Sequence, residues 1–71
     1  MSAQRIERIN VAVNTTMVSA IDLVIENEQV SLTEAVRRLI SYGDFVYRAK
    51  LADTTLLVQA DGENPREVVV L

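Results

Sequence analysis

Hydrogen-bonding and apolar side chains alternate over residues 8–14, Arg-Ile-Asn-Val-Ala-Val-Asn. In an extended segment that period puts Arg8, Asn10, Ala12 and Asn14 on one face and Ile9, Val11 and Val13 on the other. An arginine and an amide two positions apart make a recognition surface built on hydrogen bonds, with nothing in it to move a proton or attack a carbon. The remaining sequence adds no catalyst. It holds no histidine and no cysteine, which excludes the usual Cys/His zinc site and leaves no histidine to serve as a serine's base. Gly43 and Gly62 stand alone and form no phosphate loop. The expectation is a protein that is not an enzyme and uses no cofactor or metal.

The element that carries these side chains is incomplete. A seven-residue strand with no second strand in the first fifty residues leaves unpaired backbone groups on both edges. The same strand from a second copy, antiparallel across a two-fold axis, supplies the missing partner. Composition points the same way. Seventy-one residues make one domain, yet 49% of them are apolar, more than so short a chain can hide alone. A homodimer is expected. Paired strands would present Arg8, Asn10 and Ala12 twice on one outer face, and a two-stranded ribbon carried on helices is a known reader of the DNA major groove.

Helices follow the strand. Asn14 is placed to cap a first helix from about Thr15 to Glu28, with Val18, Ile21, Val24 and Ile25 as its apolar stripe. After the short link Gln29-Val30, Ser31-Leu32-Thr33-Glu34 reads as a capping box, with Ser31 capping and Glu34 reaching back. Apolar residues then recur at helical spacing through Gly43 to about Ala52. One long helix is preferred over a break at Gly43 with a second helix from Asp44. Tyr42, Phe45 and Tyr47 are expected in core and rim packing, not in base stacking. Arg37 and Arg38 are expected on a solvated face, with Arg37 the one assigned a phosphate. Thr54 to Gln59 and Glu67 to Leu71 are rich in β-formers around the turn chemistry of Asp61-Gly62-Glu63-Asn64-Pro65, so a hairpin with a packed end is expected. The division is residues 1–53 as a dimerising core and 54–71 as a hairpin extension. The fold class is α+β, mainly helical.

Charge tempers the DNA reading. The net charge is −3, whereas phosphate neutralisation supplies much of a nucleic-acid binder's affinity. The basic residues are placed locally: Arg5 and Arg8 stand with only Glu7 in the first fourteen positions, and Arg37-Arg38 form a second basic point. No run of residues is long and apolar enough to span a bilayer, and no basic-then-apolar leader begins the sequence. A cytoplasmic protein without a membrane partner is expected.

The order of strand, capped helix, short link and capped helix resembles the ribbon-helix-helix family of small repressors, the Arc/MetJ/CopG-like proteins. The likeness covers about residues 5–50. It rests on Arg8-Ile9-Asn10-Val11-Ala12-Val13-Asn14, on Val30-Ser31-Leu32-Thr33-Glu34-Ala35, and on the spacing between them. The resemblance implies a dimer whose intermolecular two-stranded antiparallel sheet enters the major groove. Arg8, Asn10 and Ala12 would then face base edges, Arg8 suiting guanine and Asn10 adenine. The start of the second helix, Ser31, Leu32 and Thr33 with Arg37, would hold phosphate. Ile9, Val11, Val13, Val36, Leu39, Ile40 and Gly43 would form the dimer core. Two positions depart from the family pattern: Ala12 stands where relatives place a polar residue, and Gln29 stands where many have glycine.

Two functions follow as expectations. One is a homodimeric repressor that binds double-stranded DNA sequence-specifically. The other keeps the dimeric scaffold without DNA readout and binds a protein, such as a toxin or a host protein. The net charge and Ala12 motivate the second.

Overall fold

The computed structural model describes residues 8–71, so Arg5 and Glu7 of the local charge count lie outside it. The order is α1 (Thr15–Glu28), α2 (Leu32–Leu51), β1 (Leu56–Val58) and β2 (Arg66–Val68), an α+β arrangement that is mostly helical. Both helices start on side-chain caps. The Met17 N–H donates to Asn14 Oδ1 at 2.9 Å, and the Glu34 N–H donates to Ser31 Oγ at 3.1 Å. The second half of the expected capping box does not form. The Glu34 carboxylate turns along its own helix to accept from Arg38 Nε at 3.2 Å, because a guanidinium one turn on offers a charged partner.

Helix α1 ends on Gln29, whose φ of 54° and ψ of 48° place it in the left-handed region. There the Gln29 N–H reaches Ile25 O at 2.9 Å and closes the last turn. A residue with a Cβ accepts some strain in that geometry, offset in part by its side-chain bond to Glu26 O at 2.9 Å. The second helix runs unbroken through Gly43. It stops at Ala52, and Asp53 takes the next left-handed position with φ 58°.

β1 and β2 pair antiparallel, with Leu56 opposite Val68, Leu57 opposite Glu67 and Val58 opposite Arg66. Gly62, at φ 78°, turns the chain between them, and the Glu63 N–H donates to Ala60 O at 3.0 Å. The strands are shorter than the β-forming runs that flank the turn, because only three residues on each side find partners. The β1–β2 pair is the one sheet among the described residues, so residues 8–14 join no ladder of their own chain.

The core is thin. α1 packs on α2, but among the described residues only Val24 and Ala35 are buried, at 9% and 0% exposure. The chain exposes 6790 Å², against roughly 4,400 Å² for a globular monomer of this mass. Subtracting the largest area that residues 1–7 could contribute in any conformation still leaves an excess of roughly 1,500 Å². Its radius of gyration is 15.2 Å, where a compact chain of this length has about 11 Å. No helix among the described residues is long and apolar enough to cross a membrane.

Candidate nucleic-acid interface

Residues 8–14 are exposed throughout, the apolar face as much as the polar one. Ile9, Val11 and Val13 are 67%, 61% and 52% exposed. The expected strand is not formed within the single chain, since residues 8–14 take no regular secondary structure, and their three β-branched side chains at alternate positions stand open to water. Arg8, Asn10 and Ala12 occupy the alternate positions and are equally accessible. The Asn14 cap joins this segment directly to α1, so the helix end fixes where the segment leaves.

The α2 start forms a second group of accessible donors. Ser31 Oγ accepts from Glu34, and Ser31 O accepts from the Ala35 N–H at 2.9 Å. Among the described residues this leaves the Leu32 and Thr33 N–H groups as the open donors of that helix end. Such groups favour an anion electrostatically. The surrounding charge does not add to that field, because Glu28 and Glu34 balance Arg37 and Arg38.

Arg38 is therefore more than a solvated residue. It bonds Glu34 on its own helix and Glu28 at the end of α1, bridging the two helices across the link. The bonds to Glu34 and then to Glu28 push its guanidinium further above the ordinary arginine range. Arg37 points outward, 74% exposed, with only a loose 3.8 Å approach to Glu34. The Glu34–Arg38 pair was readable from its four-residue spacing; the Glu28 contact was not, since it depends on how the link folds.

α2 carries two adjacent apolar stripes. Ala35, Leu39, Val46 and Ala49 turn toward their own chain and are buried or half-buried. Beside them Leu32, Val36, Ile40, Gly43, Tyr47 and Leu51 recur every three or four residues. In this second stripe Leu32, Ile40, Tyr47 and Leu51 are each more than half exposed, and a Cβ added at Gly43 would meet nothing within 4 Å. Of the expected dimer core on α2, Val36 and Leu39 are half-buried within the chain, whereas Ile40 and Gly43 remain open. Tyr42, Phe45 and Tyr47, expected in core and rim packing, are 54%, 67% and 57% exposed in the single chain.

The single chain keeps the strand residues and the α2 start as two separate groups, with α1 between them. No family model, curated protein or solved structure matches the chain.

Proposed function

We propose that two copies associate through residues 8–14 and the open stripe of α2, and that the resulting ribbon-helix-helix dimer is a transcriptional repressor that binds double-stranded DNA. The observation that carries this reading is the alternating segment 8–14, capped directly onto α1 and bonded to no strand of its own chain. Paired across a two-fold axis, the segment satisfies its backbone, buries Ile9, Val11 and Val13 against the helices, and doubles Arg8 and Asn10 on the outer face. Arg8 offers two donors to guanine, Asn10 a donor and an acceptor to adenine, and Ala12 a methyl group beside thymine. The Leu32 and Thr33 amides, with Ser31 and Arg37 near them, position the phosphate backbone.

Selection of bound duplexes from a random DNA library at low salt tests this. An enriched sequence is expected, with Arg8→Ala and Asn10→Ala each losing about 1–3 kcal/mol of discrimination at one base position. Unchanged selection by both variants refutes the ribbon as reader.

The balanced charge at the α2 start and the net −3 of the chain favour a second reading, a dimeric module that binds a protein. No enrichment of DNA at low salt, together with a stable dimer, supports that reading instead.

A further inference from the structure

The hairpin has two faces, and its own chain covers part of one. Leu56 and Val70 are half-buried and lie on the face shared by Val58, Arg66 and Val68. A shallow cleft of about 430 Å³ between that face and α2 is lined by Phe45, Ala49 and Leu56 among others. The opposite face carries Leu57, Glu67, Val69 and Leu71. An antiparallel sheet with one face in water reads polar at those positions. Here only Glu67 is polar, while Leu57 and Val69 are 59% and 75% exposed.

The hairpin is held at a definite place on α2. Lys50 Nζ donates to Leu71 O at 2.8 Å, and the Thr54 hydroxyl donates to Ala49 O at 2.7 Å. Lys50 borders the open stripe of α2, next to Leu51 and one turn from Tyr47. The bond to Leu71 therefore brings residues 69–71 to the edge of the surface assigned above to the second copy. The Lys50 side chain thus links the edge of that stripe to the end of the second strand.

We propose that the interface between copies extends from the α2 stripe onto the C-terminal strand, with Val69 and Leu57 packing against the second copy. The occupant is another copy of this chain, because the surface continues the one that copy already covers, and because of area. The excess exposure of roughly 1,500 Å² is about twice one partner's share of a standard interface, ~800 Å². The strand and stripe together with the hairpin face supply an interface on that larger scale. This inference rests on the dimeric reading and is independent of DNA readout.

Hydrogen exchange of the full chain across a dilution series tests it. Amides of α2 and of residues 66–71 are expected to lose protection together as the dimer dissociates. As a second readout, Val69→Asp is expected to raise the dimer dissociation constant at least tenfold in sedimentation equilibrium while leaving helix content unchanged. In a single chain Val69 lies on an open surface, where such a change costs little. Loss of protection in α2 with residues 66–71 unchanged, or a dissociation constant unaffected by Val69→Asp, overturns the extension and leaves the dimer standing. A chain that stays monomeric and folded at every concentration overturns both.

Discussion

Asn14 and Gln29 bracket α1, and each makes a measurable contribution at the residue scale. Asn14 satisfies one of the helix's first free N–H groups, so Asn14→Ala is expected to cost about 1 kcal/mol of stability in denaturant unfolding, and Asn14→Gly only a few tenths. An alanine variant as stable as the parent shows that the cap contributes nothing. Gln29 sits at φ 54°, where a Cβ costs about 1–2 kcal/mol. Gln29→Gly removes that strain but gives up the bond to Glu26 O and adds freedom to the unfolded chain. The balance is a gain of about 0.5–1 kcal/mol, read as a higher unfolding midpoint. The caps were legible because asparagine and Ser-x-x-Glu act on their immediate neighbours. The left-handed turn at Gln29 was legible only as a missing glycine, and Asp53 at φ 58° gave no signal at all.

At the scale of elements, helix lengths were readable because a period of 3.6 persists over fourteen and twenty residues. Continuity through Gly43 follows from the same persistence: the stripe resumes in register at Val46 and Tyr47, and a single glycine costs only about 1 kcal/mol. What the period hides is which chain covers each stripe. Ala35 and Leu39 pack at home; Ile40 and Gly43, neighbours in sequence, do not. Gly43 separates the two cases. Gly43→Ala is expected to stabilise α2 in one chain by up to about 1 kcal/mol, since nothing lies near the added methyl. Gly43→Leu is expected to keep the helix yet weaken association, because a bulky side chain holds two helices apart. Circular dichroism and sedimentation equilibrium read the two effects; an undiminished dimer in Gly43→Leu removes Gly43 from the interface.

The whole molecule is too open to be finished. Two buried side chains among the described residues, in a chain that is 49% apolar, make only a marginal domain. The unfolding midpoint is therefore expected to rise with protein concentration, because association adds stability to a marginally folded chain. A midpoint independent of concentration over two decades contradicts that. DNA binding by the proposed dimer is expected to weaken with salt, because Arg8 and Arg37 of each copy would displace counterions from phosphate. The fold class was legible from patterning alone. The outward turn of Tyr42, Phe45 and Val69 was not, because patterning records that a residue is apolar and is silent on whose surface covers it.

Pairing of residues 8–14 across a two-fold axis is most directly read by NMR on mixed dimers, one copy isotope-labelled and the other not. Contacts between copies are expected among the backbone protons of Ile9 to Val13, centred near Val11, in the alternating pattern of an antiparallel pair. Contacts from that segment to residues 56–58 or 66–68 of the same copy, or none between copies, contradict it.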